Sequence, residues 1–125
     1  MSIHESGENY LEAIFNIRKR TGTCRSVDVA RELGFSKPSV SIMMRELREN
    51  GFIEIDDAND ISLTASGMKI ALSISERHEI ISRTLIMLGV PEDIALSDAC
   101  KIEHDLSAVS FEKIVISLSF MLEAS

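Results

Sequence analysis

Apolar residues in the segment ENYLEAIFNIRKRTG fall on one side of a helix at Tyr10, Leu11, Ile14, Phe15 and Ile17, and Thr21-Gly22 ends the run. The next segment, SVDVARELG, predicts a short helix with Ser26 as its cap, Val29, Ala30 and Leu33 inward, and Gly34 as the turn. SKPSVSIMMRELRENG begins a third helix. Ser36 suits the N-cap, Pro38 falls in the first turn where a missing N–H costs little, and Val40, Met43, Met44 and Leu47 repeat at helical spacing up to Gly51. The period then changes. FIEI and ISLT are short β-type runs separated by the turn-forming DDAND, which predicts a two-stranded hairpin. Two helices joined by a tight glycine turn and followed by a hairpin predict a winged helix-turn-helix.

Beyond the hairpin, TASGMKIALSISERHEIISRTLIMLG predicts a long helix capped by Thr64, with Met68, Ala71, Ile74, His78, Ile81 and Leu85 along one face. VPED starts a turn and a short helix. SDACKIEHDLS then predicts a separate helix capped by Ser97. The last helix, SFEKIVISLSFMLEA, carries an apolar stripe of Phe111, Ile114, Val115, Leu118, Met121 and Leu122. The expected fold is mostly α: a winged helix-turn-helix DNA-binding lobe over residues 1–70, followed by a helical dimerisation and metal-binding lobe over 71–125. So much apolar surface on terminal helices beside a small lobe points to a homodimer.

Composition fits this picture. The chain has 125 residues, 45% of them hydrophobic and 26% charged, enough for one compact domain or two small lobes. Serines break its apolar runs well short of a bilayer span, and MSIHESGENY lacks the basic and apolar regions of a secretion signal. Cys24 and Cys100 do not make a disulfide framework. A cytoplasmic protein with reduced thiols and no membrane partner is expected. The net charge of −7 is unevenly spread: residues 18–48 hold eight bases against three acids, whereas residues 71–125 hold four bases against nine acids. A basic face on an acidic body suits a phosphate-binding lobe joined to one that attracts cations.

The third helix is the expected DNA reader. Its start presents Ser36, Lys37, Pro38, Ser39 and Ser41, with Arg45 one turn on, so hydroxyls, one ammonium and a helix N-terminus are available to phosphates and base edges. Double-stranded operator DNA is the expected partner. The hairpin tip cuts the other way: Glu54, Asp56, Asp57 and Asp60 are acidic, and a wing laid against phosphates would be repelled. CKIEHD raises the other chemistry. Cys100, Glu103 and His104 fall at i, i+3 and i+4, on one face if the segment is helical. His78 on the long helix and Asn9 and Glu12 on the first helix add donors. Each alone is unremarkable, since a histidine on an apolar face is more often a hydrogen-bonded core residue than a ligand.

The order ENYLEAI, SVDVARELGFSKPSVSIMMRELRENGFI, LTASGMKIA, RHEI and DACKIEHDLS resembles the diphtheria-toxin-repressor family of metal-dependent regulators, which includes the manganese-transport regulators (DtxR/MntR). The resemblance covers essentially the whole chain. Its specific motifs are the Ser-x-Pro-Ser-x-Ser start of the recognition helix and the C/E-x-x-E-H signature after an RH. It implies a homodimeric repressor whose operator affinity is raised by a divalent ion. By position, it implies Cys100, Glu103, His104 and His78 as metal ligands, with Glu12 as a ligand used in the manganese branch. The chain departs from the family at Asn9, where an Asp or Met is usual, at Ser82, where a Glu ligand is common, and at Leu96, which replaces a histidine of the iron branch. One occupied ion site is expected, and the chain stops before the SH3-like domain of iron-type repressors.

Thiolate and imidazole donors, with Cys100 the soft one, favour Fe²⁺, Co²⁺, Ni²⁺ or Zn²⁺ over Mn²⁺ by the Irving–Williams trend. Availability in a reducing cytoplasm points to Fe²⁺ among them, while Glu12 pulls towards manganese. In the expected mechanism the ion joins the first helix to the long and fifth helices, holding two recognition helices roughly 34 Å apart for a pseudo-palindromic operator. A winged-helix regulator without metal would share the first lobe but would not require Cys100, Glu103, His104 and His78 together. A hydrolase is disfavoured because the pattern lacks the H-E-x-x-H arrangement and an apparent nucleophile. A protein-interaction module is the residual alternative, distinguished by no salt-dependent DNA binding.

Overall fold

Leu11, Ile14, Val29 and Ile61 are 0% exposed. They come from three separate elements of the chain, and their burial gathers its first half. The structure is a computed structural model that describes residues 5–124, with side chains described through Leu118. Its elements are α1 (Glu5–Thr21), α2 (Ser26–Leu33), α3 (Lys37–Glu49), β1 (Ile53–Ile55), β2 (Ile61–Leu63), α4 (Ala65–Met87), α5 (Glu92–Ile102) and α6 (Ala108–Ala124). The chain divides into two units, one ending at Ser73 and the other beginning at Ile74.

In the first unit, α1, α2 and α3 enclose Tyr10, Ile17, Val40, Met44 and Leu47 as well. The α2–α3 turn works because Gly34 takes the left-handed conformation at φ 72° and donates to the Ala30 carbonyl, a geometry a side chain would oppose. Ser36 caps α3 as expected, accepting from the Ser39 N–H at 3.3 Å. Ser26 does not cap α2. The cap is extended Arg25, whose N–H donates to the Asp28 carboxylate at 3.0 Å, so the first turn is satisfied from within the helix. The hairpin is antiparallel, pairing Ile53 with Leu63 and Ile55 with Ile61.

The acidic hairpin tip has an internal explanation. Asp56 Oδ1 accepts from the Ala58 and Asp60 N–H groups, both at 2.9 Å, so its carboxylate shapes the turn. Both oxygens of Asp60 accept from Arg18 at 2.9 Å, Oδ1 also accepts from the Cys24 N–H at 2.8 Å, and Arg18 reaches the Ile61 carbonyl at 3.0 Å. The Ile61 N–H closes the circuit on the Cys24 carbonyl at 2.7 Å. The wing is therefore clasped to the end of α1 and the entry to α2. These bonds hold the Asp60 carboxyl below its ordinary range, first through the Cys24 N–H and then through Arg18.

Thr64 caps α4, accepting from the Gly67 N–H at 3.2 Å. A Cβ on Gly67 would collide with the Phe52 carbonyl oxygen, so only glycine lets this turn approach the backbone after α3. With Gly67 taking the inward place, Met68 is turned out and 37% exposed, not part of the buried face of α4 as expected.

In the second unit Ile74, Ile81 and Ser82 of α4 are buried. The expected short helix at VPED and the separate helix capped by Ser97 are one element. Helix α5 starts after Pro91, and Glu92 and Asp93 favour its N-terminal dipole. Nothing interrupts the backbone at Ser97, which is an interior residue, and Ala95 and Ala99 supply the buried positions. Met121 and Leu122 of the expected α6 stripe lie outside the described side chains.

A native carboxyl held low stabilises the fold above its unfolded value, and that contribution disappears as pH falls through the folded value. Asp60→Asn is therefore expected to lower Tm at about pH 7, with the difference from wild type closing as pH falls below the ordinary carboxyl range near about 4. Thermal melts followed by circular dichroism across that range check it; a gap independent of pH would contradict the clasp.

Candidate metal centre

The last turn of α5 places Cys100 and Glu103 three residues apart, so their side chains share a helix face. Glu103 is the C-cap and its side chain is 1% exposed. One carboxylate oxygen, Oε2, is 2.9 Å from His78 Nδ1, and the Cys100 Sγ is 3.7 Å from the same nitrogen. Sulfur, nitrogen and oxygen donors of Cys100, His78 and Glu103 all lie within 4.8 Å of one another. Donors that share a first-row ion at bonds of about 2.0–2.3 Å are themselves roughly 3–4.5 Å apart. The three side chains fit a divalent cation by spacing and by donor chemistry.

His104 stands differently. Helix α5 ends at Ile102, so His104 belongs to the following turn, not to the helical face expected for it. Its buried ring approaches the other oxygen of Glu103, Nε2 to Oε1 at 3.4 Å. The carboxylate is thus flanked by an imidazole on each oxygen. Asn9 and Glu12 are half-buried on α1 in the first unit, three residues apart. Ser82 is buried and donates to the Glu79 carbonyl at 3.1 Å, an ordinary hydroxyl role in place of a carboxylate. Leu96 is 39% exposed.

Arg77 is the residue that sequence reading missed. Its guanidinium donates to the Glu103 carbonyl at 3.0 Å and to the Leu106 carbonyl at 2.7 Å, and lies 5.2 Å from the Phe111 ring centroid. It satisfies carbonyls that the end of α5 leaves open and fixes the turn that carries Glu103 and His104. The only hint in the sequence was its place beside His78.

The expected DNA-facing residues Ser36, Lys37, Pro38, Ser39, Ser41 and Arg45 are all exposed on α3 or at its cap. Ser36 and Ser39 hydroxyls bond each other at 2.9 Å. The basic face is smaller than the residue count suggests, because Arg18 pairs with Asp60, Arg20 with Glu32 at 2.7 Å and Arg31 with Asp28 at 3.7 Å.

A winged helix-turn-helix unit followed by a helical unit with a sulfur, nitrogen and oxygen donor cluster defines a metal-responsive class of winged-helix proteins. Residues 2–59 match the N-terminal DNA-binding domain of iron-dependent repressors, and residues 64–124 match their metal-binding and dimerisation domain. The chain belongs to the iron-dependent repressor family, the same family its motifs resemble. Among relatives, it is 39% identical over 100 residues to the transcriptional regulator MntR of Escherichia coli O157:H7, covering 80% of this chain and 64% of that protein. It is 30% identical to the HTH-type transcriptional regulator MntR of Lysinibacillus sphaericus, covering 94% of this chain and 85% of that one. The manganese regulator SloR superposes with a TM-score of 0.80 at 26% identity, covering 96% of this chain and 55% of SloR. The metal-dependent regulator MtsR superposes with a TM-score of 0.84 at 26% identity, covering 91% of this chain and 54% of MtsR. The chain therefore spans about 64% of the length of the first of these relatives.

The two cysteines should differ sharply in reactivity. Cys24 is 0% exposed, and burial, followed by the nearby Asp28 carboxylate, pushes its thiol up to about 12. Cys100 is exposed. Iodoacetamide at about pH 8 is expected to alkylate Cys100 and spare Cys24 in the folded chain, with both modified after denaturation. Peptide mass spectrometry reads the result; rapid native labelling of Cys24 would contradict its burial.

Proposed function

We propose that this chain is a transcriptional repressor of metal homeostasis whose operator affinity is raised by a divalent ion held at His78, Cys100 and Glu103. The observation that carries the reading is the convergence of these donors around a buried carboxylate. A buried charge is costly unless it is paired or holds a metal. His104, at the second carboxylate oxygen, and the half-buried Asn9 and Glu12 are proposed to complete the ligand set, as the family resemblance implies. The ion supplies two positive charges. Occupancy of the site is proposed to be coupled to operator binding. Coupling of this kind is typically on the order of 1–3 kcal/mol, and DNA must tighten metal binding by the same factor.

Mn²⁺ stands at least level with Fe²⁺ in this reading. The Cys100 thiolate argues for the softer ion, but SloR is a manganese regulator, and a second superposing structure is a manganese-dependent repressor in complex with manganese, at TM-score 0.82 and 26% identity. The preference for iron drawn from ligand softness thus has no specific support in these likenesses. Anaerobic titration with Mn²⁺, Fe²⁺ and Co²⁺, read by operator anisotropy and by protection of Cys100 from alkylation, tests the assignment. His78→Ala and Cys100→Ala are expected to lose most of the metal stimulation, about 5- to 150-fold for the coupling above, while the fold stays intact. Stimulation unchanged in the double variant would refute the centre.

The second unit carries the proposed homodimer contact. Ile80, Ile86, Met87, Val115 and Leu118 line an apolar groove of about 450 Å³, and Leu88 beside it is 72% exposed. Pairing through this surface would set two recognition helices on a pseudo-palindromic operator. Met87→Asp is expected to shift the chain from dimer to monomer in sedimentation at micromolar concentration and to weaken operator binding with it. A dimer as tight as wild type would move the interface elsewhere.

A further inference from the structure

The outward face of α3 contains an apolar residue that the core does not explain. Val40, Met44 and Leu47 are buried and mark the inner side of the helix. At 3.6 residues per turn, Ile42 lies about 200° around from Val40, close to the centre of the opposite side. It is 55% exposed, between Pro38 one turn before and Arg45 one turn after. Its neighbours on that face are Pro38, Ser39, Arg45 and Glu46 at i−4, i−3, i+3 and i+4, with Glu49 two turns on, and all are exposed. A branched hydrocarbon at the middle of a polar, DNA-facing surface gives nothing to folding.

Double-stranded DNA offers one apolar group in the major groove, the C5 methyl of thymine. The hydroxyl of Ser39, the guanidinium of Arg45 and the carboxylate of Glu46 on this face are suited to phosphates and to acceptor or donor edges, but hydrogen bonding does not distinguish that methyl from hydrogen. Short neighbours let the helix approach closely, and β-branching holds the Ile42 side chain in few rotamers, so little freedom is lost on contact. We infer that Ile42 is a specificity-determining residue that packs against a thymine methyl in each operator half-site. This rests on the DNA-binding reading and adds to it the chemistry of one base contact.

Deoxyuridine differs from thymidine only in lacking that methyl, so it isolates the contact. The full chain with Mn²⁺ would first be used to enrich a duplex from a random-sequence pool, and the enriched duplex is then the probe. Each thymine is replaced in turn by deoxyuridine, and affinity is measured by anisotropy for wild type, Ile42→Val and Ile42→Ala. The position is exposed, so neither variant threatens the fold. Wild type is expected to lose about fourfold in affinity at one thymine per half-site, the worth of one buried methyl. Ile42→Val should keep part of this discrimination, and Ile42→Ala should bind the thymine and uracil duplexes equally. Wild type indifferent to every replacement, or Ile42→Ala discriminating as well as wild type, overturns the inference while leaving DNA binding in place. No enrichment of any duplex, and no salt-dependent binding, overturns the DNA-binding reading and this inference together.

Discussion

The burial of one carboxylate governs the second unit. Glu103 is 1% exposed and sits at the C-terminal end of α5, where the helix dipole already places negative potential. Both conditions oppose a charged carboxylate, and together they demand positive charge or hydrogen-bond donors close by. The fold answers at three levels. Arg77 covers the carbonyls of Glu103 and Leu106, which offsets the end of the helix. His78 and His104 flank the two carboxylate oxygens at 2.9 Å and 3.4 Å. Cys100 then stands at the edge of this cluster, exposed and with its sulfur 3.7 Å from His78 Nδ1. A cation entering from that side would find a carboxylate already stripped of water and already oriented, which is how neighbouring groups tune a metal ligand. Geometry and electrostatics therefore support the same use of the site.

Local pattern carried much of this structure, and distance in sequence marks where it stopped. The third helix was legible because Ser36, Pro38 and the Val40–Met44–Leu47 stripe all act within one element. The hairpin was legible because two alternating runs enclose a turn sequence. Ser97 misled because a good capping residue is also tolerated within a helix, and only Pro91 and the acids after it fixed the true start of α5. Met68 misled because its helical phase is correct, but Gly67 takes the close approach to Phe52 instead. Arg18 with Asp60 is separated by 42 residues, and Arg77 with the Glu103 carbonyl by 26. No periodicity reports such pairs. The metal motif was half legible: the i, i+3 relation of Cys100 and Glu103 survives, whereas His104 lies past the helix end and acts through the second carboxylate oxygen.

Charge gives the two units a common logic. The chain carries a net charge of −7, and several of the arginines that make the first unit look basic are already committed to Asp60, Glu32 and Asp28. The wing clasp is one of these commitments. It removes Asp60 and Arg18 from any dealings with phosphate, and it fixes the hairpin by hydrogen bonds that do not depend on DNA. What remains to attract a duplex is a modest set of cations around α3, including Lys37 and Arg45. Because counterion release scales with the number of phosphates neutralised, a surface with few free cations gains little affinity for arbitrary DNA. Low background affinity is useful to a repressor governed by an ion, since a coupling on the order of 1–3 kcal/mol changes occupancy only where binding was marginal to begin with. The second unit's four bases against nine acids over residues 71–125 give it the negative potential that raises the local concentration of cations, in keeping with the proposed ion site.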